Sequence, residues 1–233
     1  MRIQFYIQRR PSQDAAVYTE ELSYETENEN ATVATALTEL NISCIDASGK
    51  TFSPILWECS CLQKKCGACA MVINGRPALA CDFFLRNAKN HKITLEPLHK
   101  FPLIGDLKVD RSILMANLST MKQWAASDSS YSGKGQELAY QASGCLQCGC
   151  CLEVCPNVAI GEPFYGAAAF VPATRLLAAL DASKQEEIRQ EYRKHVYAGC
   201  GKSLACEKIC PAGLEVGKLL ANSNAAAVWR RKL

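Results

Sequence analysis

Residues 145–156 read CLQCGCCLEVCP and residues 200–211 read CGKSLACEKICP. Superposed, they give one pattern, C-x2-C/S-x2-C-x3-C-P, with Cys148 at the second position of the first copy and Ser203 at that of the second. The chain has fourteen cysteines and drops one at a repeated place. What the cysteines hold decides how the rest of the sequence is read.

A length of 233 residues suits two modest domains or one large one. Nearly half the residues are apolar and about a fifth are charged, as in a folded globular protein. The net charge of +3 lacks the strong basic bias of a nucleic-acid-binding surface. Disulfides, zinc and iron–sulfur clusters compete for the cysteines. Disulfides need an oxidising compartment. The opening, MRIQFYIQRRPSQD, has no apolar core of a secretory signal, and Arg9-Arg10 lacks the apolar stretch of a twin-arginine signal. No run is long and apolar enough to span a bilayer. The expectation is a reducing cytoplasm, where crowded cysteines are more often metal ligands.

The first part reads as sheet. RIQFYIQR alternates and AVYTEELSYE follows as its hairpin partner; ETENEN is a polar turn. ATVATALTEL predicts a short helix with Val33, Leu37 and Leu40 on one face. CAMVING is a strand entering an Asn-Gly turn, and KITLEPL (92–98) is a last strand. After FPLIGDLKVD the pattern turns helical. Asp110 is placed to cap a helix through ILMANLSTMKQWAA, with Leu114, Leu118, Met121 and Ala125 aligned. SDSSYSGKG reads as a polar joint, and Ser183 with Glu186 as a capping box opening a helix to about Ala198. The expected class is α+β: a β-rich domain over 1–103, then a helical domain over 104–233 that contains the repeat.

Cys61-x4-Cys66-x2-Cys69, with Cys81 after eleven further residues, is the spacing of a plant-type 2Fe–2S ferredoxin. Two irons need four thiolates pointing inward from a tight loop, and a following strand and turn return the fourth. Gly67 and Ala68 let backbone N–H groups approach the sulfides. The rival is zinc, which commonly uses C-x2-C pairs, and for which C-x4-C is unusual. Cys59 fails the spacing and is expected to be a buried or partly buried thiol. The loop CLQKKC has no glycine, so a positive φ at Lys64 would cost on the order of 1 kcal/mol. Lys64 and Lys65 beside a cluster favour its reduced, more negative state.

C-x2-C-x2-C-x3-C-P is the run of two-cluster bacterial ferredoxins, where the fourth cysteine of each run ligates the other cluster. By that rule Cys145, Cys148, Cys151 and Cys210 hold a 4Fe–4S cluster. Cys155, Cys200 and Cys206 hold the other, with Ser203 where the fourth thiolate would be. Serine oxygen is a harder and weaker partner for such iron. The spacing therefore favours a 3Fe–4S cluster there; the alternative keeps a cubic cluster with Ser203 as ligand. Pro156 and Pro211 turn the chain away after each run. Cys150 and Cys44 fit no run and are expected to be ordinary buried thiols.

Three clusters in one chain make an electron wire, and no catalytic residue is predicted. No G-x-G-x-x-G follows a strand, and AGCGKS (198–203) has the wrong spacing for a phosphate loop. His91, His99 and His195 have no matching acid or nucleophile pattern, which points to surface or packing roles.

The combination resembles the iron–sulfur subunit of succinate dehydrogenases and fumarate reductases over nearly the whole chain. Beyond eleven matched cysteines, CGACAMVINGRPALAC is similar to that family's 2Fe–2S segment. FPLIGDLKVD is similar to its interdomain passage, and FYGAAAFVPATRLLAALD to the segment between its two runs. The resemblance implies an N-terminal plant-type ferredoxin (β-grasp) domain docked on a flavoprotein subunit with covalent FAD and the dicarboxylate site. An all-helical ferredoxin-like domain then faces a membrane-anchor subunit and a quinone. Electrons pass between FAD and the 2Fe–2S, 4Fe–4S and 3Fe–4S clusters in that order. The chain itself spans no membrane, binds no nucleic acid and lies peripherally on the cytoplasmic face.

Ubiquinone-using members tend to carry a tryptophan shortly after the first C-P and a histidine after the first cysteine of the second run. Here those places hold Ile160 and Gly201, which suits menaquinone and a fumarate reductase, or another electron donor. The family's arginine and glycine in the first loop are Leu62 and Lys64. These departures keep open an electron-transfer subunit for a different flavoprotein reductase; the other alternative, a zinc-stabilised binding module, has the C-x4-C spacing and the crossed repeat against it.

Overall fold

The computed structural model of the chain describes residues 1–12, 14–123, 133–179 and 182–229, with backbone alone for 182–184. The chain forms two compact units, Met1–Asp110 and Arg111–Leu233.

In the first unit, β1 (Arg2–Arg9) buries every second side chain, Ile3, Phe5, Ile7 and Arg9, as a one-faced strand must. It pairs antiparallel with β2 (Tyr18–Glu25), Phe5 opposite Leu22. On its other edge it pairs parallel with β5 (Lys92–Glu96). The strands β3 (Ala70–Ile73) and β4 (Arg76–Leu79) form a hairpin around Asn74 and Gly75, with φ of 51° and 74°. Both central residues are thus left-handed, as a type I′ turn requires. The sheet is mixed, in the order β2-β1-β5-β3-β4. Helix α1 (Val33–Ser43) is capped reciprocally by Thr32 and Thr35 and buries Val33, Leu37 and Leu40.

A two-stranded element absent from the sequence reading, β6 (Leu103–Gly105) with β7 (Lys108–Val109), closes the first unit. Its turn carries Asp106, whose carboxylate accepts from the N–H groups of Arg10 and Leu56, each at 2.9 Å. These bonds bind 103–109 to the sheet, so the unit continues past residue 103.

The second unit is helical. The helices are α2 (Ser112–Thr120), α3 (Gly133–Ser143), α4 (Cys150–Glu153), α5 (Ala167–Leu177), α6 (Ala182–Tyr192), α7 (Ala205–Lys208) and α8 (Val216–Ala227). At the centre lies α5, packed against α3, α6 and α8. Its Phe170, Ala173 and Leu177 share a core with Leu138, Tyr192, Val196, Leu219 and Ala226. Two buried polar bonds cross that core: Thr174 and Ser223 hydroxyls at 2.7 Å, and Tyr192 Oη donating to Asn224 Oδ1 at 2.8 Å.

Some expectations are refined. The helix after residue 110 has Arg111 at its cap and stops at Thr120, because Lys122 turns left-handed at φ 54°. Ala125, most of the SDSSYSGKG joint and the Ser183 side chain lie outside the described residues. Helix α6 leaves α-geometry at Arg193 and continues as a π-turn through Tyr197. Among the described residues no helix is long and apolar enough to cross a membrane.

Candidate metal centres

The first centre is a loop whose backbone aims N–H groups at sulfur. Cys61 Sγ accepts from the N–H groups of Gln63 and Lys65, both at 3.3 Å. Cys81 Sγ accepts from Lys64 at 3.3 Å, and Cys66 Sγ from Ala68 at 3.4 Å. Turning so tightly puts Leu62, Lys64 and Gly67 at positive φ, 54°, 57° and 74°. Lys64 therefore carries the strain expected of a missing glycine, and Leu62 carries it too. The Lys64 ammonium pairs with Asp82 at 2.7 Å.

These bonds act on the thiols unequally. The Gln63 and Lys65 N–H groups draw Cys61 down to about 7. Burial pushes Cys69 up to about 12. Cys59 is exposed, not buried, and Cys44 is half-buried at the left-handed end of α1, its thiol donating to Asn41 O at 3.5 Å.

In the second unit the two runs share out their cysteines between two cavities. Cys145, Cys148, Cys151 and Cys210 line one, of about 330 Å³ and open on one side, with Gln147, Ala168 and Leu214. Cys155, Cys200, Ser203 and Cys206 line the other, of about 370 Å³, with Asn157, Phe164 and Phe170. The last cysteine of each run thus sits with the first three positions of the other.

The repeat is conformational as well as chemical. Gln147 and Lys202, at equivalent places, have φ of 51° and 58°. Gly149 and Leu204, which open α4 and α7, have φ of 88° and 54°. Each run therefore wraps its cavity through two left-handed residues. Gly166 lets the segment after the first run close in, since a β-carbon there would meet Leu152 at 2.7 Å. A β-carbon at Gly201 would come to 3.0 Å from the Asn157 amide, which is itself tied to Gly199 O at 2.7 Å.

Burial raises Cys145, lifts Cys151 far above its ordinary value and pushes Cys206 up to about 11. Cys148 is drawn down to about 7, first by the bond its sulfur accepts from the Cys150 thiol, with the Arg111 charge contributing. Cys150 is fully buried. A cationic centre among thiols grouped in this way would favour their ionised form, most of all at the raised Cys145, Cys151 and Cys206, so the donor set fits iron. The histidines stay out of both cavities' linings. His91 and His99 are exposed. His195 is buried, stacked on Tyr165 at 4.1 Å, with Nδ1 2.7 Å from Pro163 O and Nε2 3.2 Å from the Glu191 carboxylate.

These features define an iron–sulfur protein of two cluster-binding domains. Residues 3–116 match the 2Fe-2S iron-sulfur cluster binding domain family, and residues 141–214 match the 4Fe-4S dicluster domain family. The succinate dehydrogenase iron-sulfur subunit of Bacillus subtilis is 33% identical over 95% of this chain and 91% of that one. The fumarate reductase iron-sulfur subunit of Wolinella succinogenes is 30% identical over 74% of this chain and 77% of its own length. A chain of the Mycobacterium smegmatis Sdh1 complex in the apo form shares the fold, with a TM-score of 0.75 at 20% identity over 98% of this chain and 97% of that one. The chain belongs to the family of succinate dehydrogenase and fumarate reductase iron–sulfur subunits.

Proposed function

We propose that the chain is the electron-relay subunit of a fumarate reductase or succinate dehydrogenase complex and binds no organic substrate itself. Cys61, Cys66, Cys69 and Cys81 would hold a 2Fe–2S cluster in the first unit, a plant-type ferredoxin (β-grasp) domain taken through Asp110. Cys145, Cys148, Cys151 and Cys210 would hold a 4Fe–4S cluster, and Cys155, Cys200 and Cys206 a 3Fe–4S cluster beside Ser203. The observation that carries this reading is the exchange of Cys155 and Cys210 between the two cavities. That exchange is the ligation rule of two-cluster ferredoxins.

When bound, the clusters supply one-electron carriers. The chain's own residues supply the rest. Backbone N–H groups of the first loop disperse charge on Cys61, Cys66 and Cys81. Apolar Leu146, Ala168, Phe170 and Leu220 line the two cavities and lower the polarity around what they hold. The partners would be a flavoprotein subunit with FAD and a membrane anchor with a quinone, placing the chain peripherally on the cytoplasmic face. Gly201, crowded by Asn157, leaves no room for a histidine without displacing that amide, which supports menaquinone over ubiquinone.

A second reading, service to a different flavoprotein reductase, draws on Leu62, which stands exposed where the family has arginine. Purification of the native complex with succinate- and fumarate-linked assays tests both. Co-purifying flavoprotein with fumarate reduction supports the first reading; a flavoprotein inactive on both acids supports the second. Colourless protein with stoichiometric zinc overturns both.

A further inference from the structure

Pro172 lies inside α5. A proline has no N–H, so the helix bond that residue 172 would give to the carbonyl of Ala168 is missing. The Gln147 side chain fills that place, its Nε2 donating to Ala168 O at 2.9 Å. The same Nε2 lies 3.2 Å from Sγ of Cys145. A carbonyl oxygen only accepts, so Ala168 decides which way the amide faces. The reversed amide would set Oε1 against Ala168 O. The observed one leaves Oε1 buried without a hydrogen-bond partner and commits the second N–H to sulfur.

We propose that Gln147 is a positioning residue that raises the reduction potential of the cluster held by Cys145, Cys148, Cys151 and Cys210, and that Pro172 sets it by freeing Ala168 O. The proposal rests on the ligand assignment given above. Reduction adds one electron to the cluster and its thiolates, and no proton need move. An N–H aimed at a ligand sulfur stabilises the more negative, reduced form more than the oxidised form, so the bond raises the potential. The repeat supplies an internal comparison. The equivalent place in the second run is Lys202, exposed at φ 58°, so that run carries no amide there. Gln147 in turn accepts a left-handed backbone, φ 51°, to reach Cys145.

The test is a redox titration of the holo-complex with dithionite as reductant, the clusters followed separately by EPR. The variants are Gln147→Asn, Gln147→Met and Pro172→Ala. Asparagine favours the left-handed backbone but is one methylene too short to reach the sulfur, whereas methionine keeps the side-chain length and removes the N–H. Both Gln147 variants are expected to lower the reduction equilibrium constant of the Cys145 cluster about tenfold, equivalent to about 59 mV for one electron. Pro172→Ala returns a helix donor to Ala168 O and should move the same cluster in the same direction by less. The other two clusters should keep their midpoints. An unchanged midpoint in an iron-replete variant overturns the proposal, as does a common shift of all three clusters. Wild-type protein with no cluster signal at all would instead overturn the ligand assignment.

Discussion

The backbone N–H of Lys64 donates to Sγ of Cys81 at 3.3 Å, across seventeen positions of sequence. To make that bond Lys64 holds φ at 57°, a region that L-residues with a β-carbon avoid. Lys64→Gly keeps the N–H and removes the strain, so the iron-loaded chain should gain about 1 kcal/mol of stability in denaturant unfolding. The same variant removes a cation from beside the loop and frees Asp82. The 2Fe–2S midpoint should therefore fall.

Exchange of the runs' ends makes the two cavities separable by mutation. Cys210→Ala should abolish the 4Fe–4S signal and spare the three-iron signal of the oxidised protein. Cys155→Ala should do the reverse. Local ligation, each run keeping its own last cysteine, predicts the opposite pairing, and EPR with iron analysis distinguishes them.

Ser203 lines the cavity of Cys155, Cys200 and Cys206. Its Oγ accepts a long 3.5 Å bond from Ala205 N–H. Ser203→Cys puts a thiol, the softer ligand, in that place. Iron content should rise and the oxidised-state paramagnetic signal should disappear. Unchanged iron content would mean that serine already holds a fourth iron.

Asp46 ties the start of the 46–50 turn to β2. Burial works to raise its pKa, but the N–H groups of Ser23, Ser48 and Lys50 and the Ser48 hydroxyl together hold it at about 2. A depressed carboxyl stabilises the fold above its unfolded value near 3.9 and stops doing so as pH falls through the folded value. Asp46→Asn should therefore lower stability at pH 7 and lose its difference from wild type between about pH 4 and pH 2, measured by urea unfolding across that range.

Arg9 is buried between Glu20, 2.5 Å from Nη1, and Asp106, 3.1 Å from Nε in an ion-pair contact without hydrogen-bond geometry. Its Nη2 also donates to Ser53 O and Pro54 O at 3.0 Å. Arg9→Met leaves buried Asp106 without its cation and half-buried Glu20 with Lys50 alone, 3.3 Å away, and should cost about 3–5 kcal/mol. A milder loss in thermal unfolding would show that water reaches the pair.

Arg9 also marks where local reading ends. Strand alternation places it on the buried face of β1, but nothing within a few residues names Asp106 as its partner. The Asn-Gly turn was legible because its partners lie within three residues, where backbone sterics decide; the Thr32–Thr35 cap of α1 is as local but was not read from the sequence. The helix from 112 was legible in kind but not in length. Cys59, exposed in the structure, was misjudged because burial depends on what packs over a loop.

Donor chemistry was written in the sequence by itself: sulfur ligands at cluster spacing, one oxygen where a sulfur is due, and a sheet followed by helices. Those properties rest on side-chain identity and short-range geometry, which a linear chain carries intact. The partner of each polar group that bonds far along the chain was settled only by tertiary structure. Asp106 reaches back to Arg10, and Gln147 meets Ala168 because Pro172 leaves its carbonyl open. A hydrogen bond forms with whichever group the whole fold brings within 3 Å, and neighbours along the sequence do not determine which group that is.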